Sequence, residues 1–303
     1  MNKPWVQMID PNKRILEIGP LATPVIPKNT ELNNIYYADI RSTEEIKNLY
    51  KSDSNVNNDA IVFIDYVIKD SYSKDLKDVE QFDYILMIHV LEHIPQLIDF
   101  FLDIVNILKP GGKLCLTIPD KRYCFDHYRQ PTSFAECYDI YSRRVNNNPL
   151  RVLDFLSSWT INDPNFWWEN NANFEHLMST ASGRQPIKVL NDYKSAINGE
   201  YFDVHFSVFT PETFLMLIFF LTKYNLFPFK IIKFFGTEID SFEFNVVLEK
   251  CPVLLANSDE KNKACEKILT FLSGNSDNVR QCIFVSRLIK KYLRLISRVV
   301  KNA

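Results

Sequence analysis

The string His89-Val90-Leu91-Glu92-His93 puts two imidazoles and a carboxylate within one short segment. Imidazole titrates near pH 6.5, so His89 is suited to deprotonate or orient an attacking group. If the string were helical, its i, i+3, i+4 spacing would bring His89, Glu92 and His93 to one face, as a metal site requires. The same residues also suit a structural turn, and no metal is expected. A second imidazole, His205, precedes Thr210-Pro211 and is the first choice of general base. Its alternative is a histidine satisfied within the scaffold. The run Asp120-Lys121-Arg122-Tyr123-Cys124-Phe125-Asp126 offers hydrogen-bond donors and acceptors together, which suits a polyhydroxylated or anionic acceptor, although such a run also occurs as a solvated loop. Asp120 joins the two histidines as a catalytic candidate, while Lys121, Arg122, Tyr123 and Asp126 are candidates for substrate binding. His127 and His176 are weaker candidates. Near the N-terminus, Glu17 stands two residues before Gly19, where a carboxylate can face a cation and backbone can approach a ligand closely.

The elements that must position these groups alternate. Ile15-Leu16-Glu17-Ile18, residues 35–40, 60–65, 82–88 and 113–118 read as buried parallel strands. Residues 42–51 and 96–108 read as helices, the second with an apolar stripe at Leu97, Phe100, Phe101, Ile104 and Leu108, stopped by Lys109-Pro110-Gly111-Gly112. A further helix starts at Thr210-Pro211 and runs to about residue 224, before strands over 229–235 and 242–249. Alternation of this kind predicts a doubly wound, Rossmann-like α/β sheet with ligands at the carboxyl ends of its strands.

Composition agrees with a folded chain. The 303 residues are 46% apolar and 24% charged, and only 7 are Gly where average usage predicts about 20, which rules out collagenous and linker-like architectures. A net charge of −2 argues against nucleic acid as a partner. The longest purely apolar run, 214–221, is far short of a membrane span. Six cysteines without a C-x-x-C pair, and a start without an apolar signal segment, point to a reducing cytoplasm.

Four segments in order, Ile15-Leu16-Glu17-Ile18-Gly19, Asp39 at a strand end, Phe82-Asp83-Tyr84 with the histidine string, and Leu108-Lys109-Pro110-Gly111-Gly112, resemble the class I S-adenosylmethionine-dependent methyltransferases. The resemblance covers residues 13–119 and implies a seven-stranded sheet, S-adenosylmethionine as cofactor, and Glu17, Gly19, Pro20, Asp39, Asp65, Ile88 and His89 around it. Asp39 would accept both ribose hydroxyls and Asp65 would lie near the adenine. The loop departs from the family pattern, because Pro20, Leu21, Ala22, Thr23 and Pro24 follow Gly19 and two prolines lack backbone donors. A sulfonium cofactor has no phosphate for such a loop to cradle. The segments 118–126 and 203–211 resemble a subgroup of these enzymes found in bacterial polysaccharide and surface-glycan assembly. That likeness implies methyl transfer to a hydroxyl of a sugar or glycan precursor. N-methylation of an amino group and a non-catalytic scaffold in a glycan assembly complex stay open.

Four parts follow: residues 1–119 as the cofactor-binding half, 120–209 as an insertion that caps the crevice, 210–250 as completion of the core, and 251–303 as a helical tail. Within 279–303, Arg280, Arg287, Lys290, Lys291, Arg294, Arg298 and Lys301 interleave with apolar residues at helical spacing. Such a basic helix suits the inner face of an anionic membrane, a partner or second subunit in a homo-oligomer, or its own domain.

Overall fold

A computed structural model of the chain describes residues 3–28, 34–145, 148–169 and 185–274. The basic tail segment and His176 lie outside these residues. Seven strands, β1 (Ile15–Ile18), β2 (Ile35–Asp39), β3 (Tyr66–Val67), β4 (Phe82–Ile88), β5 (Leu108–Pro119), β6 (Phe229–Phe235) and β7 (Glu243–Lys250), form one sheet in the order β3-β2-β1-β4-β5-β7-β6. The first five run parallel, and β7 pairs antiparallel with both β5 and β6. This is the Rossmann-like, seven-stranded architecture expected.

Period-two alternation splits the strands between two cores. Leu16, Ile18, Ile85, Met87, Leu114, Leu116, Val246 and Leu248 share one core with Phe101 and Ile104 of α3 (Leu97–Ile104) and Phe214, Leu217 and Leu221 of α8 (Pro211–Lys223). Ile15, Tyr37, Tyr84, Leu86, Cys115 and Val247 face the other way, onto Trp5, Ile46 of α1 (Thr43–Leu49), Ile61 and Ile64. Helices therefore dominate one face, and mostly irregular chain covers the other. Thr210 caps α8 by accepting from the Thr213 amide, with Pro211 in the first turn, as its sequence predicts. Four-residue α2 (Tyr72–Asp75) lies under the first core and α9 (Ser258–Gly274) packs on α8.

Two expectations are corrected. Residues 60–65 do not form the third strand: β3 is only Tyr66–Val67, because Asp65 takes the preceding hydrogen bonds of β2 itself, its carboxylate accepting from the Tyr37 amide at 2.6 Å and its own amide donating to Tyr37 O. Lys109-Pro110-Gly111-Gly112 does not stop the helix, since α3 ends at Ile104, a 3-10 turn follows, and these residues form the bulged start of β5. Gly112 has no room for a Cβ, which would sit 2.9 Å from Lys109 O and 3.1 Å from Phe82 O. Between β1 and β2 none of the described residues is helical, so irregular chain follows the first strand.

The insertion builds a small core of its own. Phe155 and Leu156 of α5 (Pro149–Ser158), Val189 and Ala196 of α7 (Pro186–Ile197), and Val204 and Phe206 pack together. Of its other helices, α4 (Phe134–Arg143) packs through Cys137 on the first core, against α3 and α8, and α6 (Pro164–Trp168) packs on the turn at Lys121–Tyr123. No helix among the described residues is long and apolar enough to cross a membrane.

Candidate active site

Gly19 takes a left-handed turn (φ +66°) at the carboxyl end of β1, and a Cβ there would meet Val90 Cγ2 at 2.8 Å. The turn after β1 and the turn after β4 thus touch. Glu17 turns its carboxylate to the amides of the loop that follows β1. It is 2% exposed, and its two carboxylate oxygens accept from Val25 N at 2.9 and 3.0 Å, with Ile26 N at 3.4 Å. Burial pushes it up to about 7, partly offset by these amide donors. Glu17 pins the irregular segment to the sheet, while buried Pro20 packs beside it and accepts from the Thr23 amide.

Asp39 ends β2 as expected, with Oδ1 accepting from Arg41 N at 2.9 Å; burial raises its pKa, opposed by that bond and by Arg41. Beyond it a cleft of about 380 Å³ opens between Ile40, the Ile68–Tyr72 turn after β3, and Ile94, Pro95 and Gln96 after β4. That volume lies within the range for small-molecule sites. Asp65 is not at this end of the sheet. It bonds the Tyr37 amide and Lys28 Nζ (2.7 and 2.5 Å), so the turn at Lys69 and Asp70 occupies the strand end assigned to it.

The carboxyl end of β4 carries the densest chemistry. Ile88 pairs with Thr117 at the strand's last position, and His89 follows at φ +53°, a left-handed conformation uncommon outside glycine. Residues 91–93 form a 3-10 turn rather than an α-helix, so His89, Glu92 and His93 are not arranged by i, i+4 spacing. The His89 ring stacks on Phe242, with Nε2 2.8 Å from Glu243 Oε2 and Nδ1 3.6 Å from Glu92 Oε1. Burial alone would lower its pKa, but these two carboxylates more than offset it and lift it to about 9. A value that high favours the protonated ring near neutrality, with Nε2 donating to Glu243. Lys3 Nζ holds the other oxygen of Glu243 at 2.5 Å, and the pair is almost fully buried.

His205 reaches the same place from the insertion. Ser207 N donates to Glu92 O, tying the returning chain to the β4 turn. His205 Nδ1 lies 2.5 Å from Asp126 Oδ2, Arg129 holds Asp126 Oδ1 at 2.8 Å, and His205 Nε2 stands 3.8 Å from Glu92 Oε1. His93 Nδ1 lies 2.9 Å from Asp203 Oδ1, and its ring meets that of His205 edge-on at 4.8 Å. Glu92 is 1% exposed and neither oxygen has a hydrogen-bond partner among the described residues. Burial would raise its pKa, but His89, His205 and His93 together hold it below the usual carboxylate range.

The charged run after β5 is mostly internal. Asp120 is fully buried, chelating Arg122 through both oxygens and accepting from Thr237 Oγ1 at 2.7 Å, which leaves it no free oxygen for catalysis. Lys121 Nζ donates to His127 O at 2.5 Å, and Asp126 serves His205 and Arg129. Of the expected substrate contacts, Tyr123 keeps a half-buried ring, stacked 3.9 Å from Trp168. His127 donates from Nδ1 to Arg122 O and stacks on Trp167, a structural placement. Lys3, Glu243 and Arg129 were not among the expected site residues. Glu243 had a signal, a carboxylate opening β7 at the end nearest the site, whereas nothing local marks Lys3.

A family model described as a methyltransferase domain matches residues 7–179, more than half of the chain. No curated protein sequence matches. Among solved structures, an S-adenosylmethionine-dependent methyltransferase from Methanosarcina mazei aligns at 14% identity and a TM-score of 0.39, covering 82% of this chain and 98% of that one. The plantazolicin methyltransferase bound to a monoazolic desmethylPZN analog and SAH aligns at 14% identity and a TM-score of 0.36, covering 78% and 75%. At such scores the sequence match and the strand order carry the assignment. The chain belongs to the methyltransferase domain family and has the class I, S-adenosylmethionine-dependent architecture.

Proposed function

We propose that this chain transfers the methyl group of S-adenosylmethionine to a hydroxyl of a sugar or glycan precursor. The observation that carries the reading is a positioned proton acceptor at the end of β4: His205, oriented through Nδ1 by Asp126 and with Nε2 3.8 Å from the buried carboxylate of Glu92. A neutral amine needs little help to attack a methyl group, whereas a hydroxyl must lose a proton as it attacks. The adenosine group fits the cleft beyond Ile40, with Asp39 accepting from the ribose hydroxyls. The acceptor oxygen attacks the methyl carbon, the carbon–sulfur bond breaks with its electron pair remaining on sulfur, and the hydroxyl proton passes to the β4 cluster. The flat Tyr123–Trp168 stack offers a surface for a sugar ring.

The test is an acceptor panel. Matched sugars bearing free hydroxyls or amino groups are incubated with the chain and S-adenosylmethionine, and methylated products are identified by mass spectrometry. O-methyl products are expected. Methylation confined to amines would overturn the hydroxyl assignment.

A further inference from the structure

Two histidines and one carboxylate at the β4 turn are arranged as ligands, not as partners of each other. Glu92, His93 and His205 each offer a donor atom within 4.8 Å of the others. Glu92 and His93 are consecutive and His205 comes from a distant part of the chain, and the backbone bond from Ser207 N to Glu92 O locks the two segments together. Three ligands about 2.0–2.2 Å from a tetrahedral ion stand roughly 3.4 Å apart, so side-chain movements of about an ångström complete the set.

Two independent features point to an ion. The first is Glu92 itself, 1% exposed with both oxygens lacking a hydrogen-bond partner among the described residues. An unpartnered buried carboxylate is costly, and an ion removes that cost. The second is the state of the histidines. A histidine that binds metal usually gives its other ring nitrogen to a carboxylate, which fixes the tautomer and leaves one lone pair for the metal. His205 has this arrangement, with Nδ1 2.5 Å from Asp126; His93 Nδ1 lies 2.9 Å from Asp203 as an ion pair without a hydrogen bond. Three carboxylates therefore surround the centre, with Arg129 held on the far oxygen of Asp126.

We propose that Glu92, His93 and His205 bind one divalent first-row transition ion, with Asp126 orienting the His205 imidazole and the Asp203 carboxylate beside His93. A donor set of two imidazoles and one carboxylate suits zinc, iron or cobalt better than magnesium or calcium, and leaves coordination positions open. The ion's use in catalysis deepens the proposed function and rests on it; ion binding does not. With the ion in place the lone pairs of Glu92 and His205 are engaged. An ion there would supply the proton acceptor of that cluster itself, a coordinated water whose pKa it lowers.

The experiment uses the full chain, stripped with EDTA, dialysed, and titrated with Co²⁺ by visible absorption and with Zn²⁺ by calorimetry, without cofactor or acceptor. One ion per chain is expected. Glu92→Gln and His205→Gln should each weaken binding at least tenfold, and Asp203→Asn, on an exposed partner, should weaken it by about 10- to 100-fold. His127→Gln should change nothing. Failure of the wild-type chain to bind, or equal binding by folded Glu92→Gln and Asp203→Asn proteins, would overturn the site. Because no acceptor is present, either result leaves the hydroxyl assignment to the acceptor panel.

Discussion

Two glutamates, Glu17 and Glu92, lie at the carboxyl ends of neighbouring strands β1 and β4, and both are buried, at 2% and 1% exposure. Their surroundings give them opposite characters. Glu17 meets backbone amides and no cation, so burial dominates and its pKa rises to about 7. Glu92 meets three imidazoles and no amide, so its charge is favoured despite deeper burial. A carboxylate held by amides fixes a loop; one faced only by titratable or ligating groups is available for chemistry.

The largest consequence concerns Glu92. Replacing it with Gln keeps the shape but removes the charge that faces His89, His93 and His205. General-base help contributes about 10²- to 10⁴-fold to rate, and Glu92 is the carboxylate that faces Nε2 of His205, so kcat for a hydroxyl acceptor should fall by up to that order. Affinity for S-adenosylhomocysteine by calorimetry should change little, because Asp39 and the cleft are untouched. A loss of cofactor affinity as large as the loss of kcat would place Glu92 on the cofactor side, and the contrast with Glu17 would collapse.

Glu17 should show itself in stability rather than rate. Its pKa is about 7 when folded against an ordinary value of 4.5, so the folded chain binds more protons between those values. Stability from this group is full below about pH 4.5 and is lost as pH rises through about 7. Glu17→Gln cannot ionise and still offers an oxygen to the Val25 and Ile26 amides. The variant should match wild type near pH 4.5 and exceed it above pH 7 by up to about 3 kcal/mol in urea unfolding. Parallel stability curves across this range would mean that Glu17 is not held as described.

These contrasts also explain what could be read in the sequence. Continuous apolar runs and one capping pattern sufficed for β1, β2, β4, β6, β7 and α8, because each is set by local period and local chemistry. β3 was misplaced since an Asp65 side chain substitutes for backbone pairing, a choice invisible without its partner Tyr37. Lys109-Pro110-Gly111-Gly112 has the composition of a helix stop and is used as a bulge. At the site, His89 and His205 were named and do converge, but their roles depend on contacts that no spacing encodes. Glu243 lies 154 residues from His89 and 240 from Lys3. Asp120 and Asp126 are acidic residues in an ordinary-looking charged run, and only the fold shows that both are internal.

The smallest effect tests whether the two turns act as one unit. Gly19 is left-handed, and a Cβ would press on Val90 Cγ2 at 2.8 Å, one residue beyond His89. Gly19→Ala should therefore combine a backbone cost of roughly 1–2 kcal/mol with a steric push on the β4 turn. Val90→Ala removes the methyl group in the way but leaves the backbone cost. In the double variant the two changes should couple favourably by about 0.5–1 kcal/mol, and the deficit that remains should be the left-handed penalty alone. The same pair separates stability from chemistry. If the push on Val90 displaces His89, Gly19→Ala lowers kcat and the added Val90→Ala restores most of it, even though stability recovers only in part. Additive losses in both measurements would show instead that the turn holding Glu17 and the turn holding Glu92 are mechanically separate.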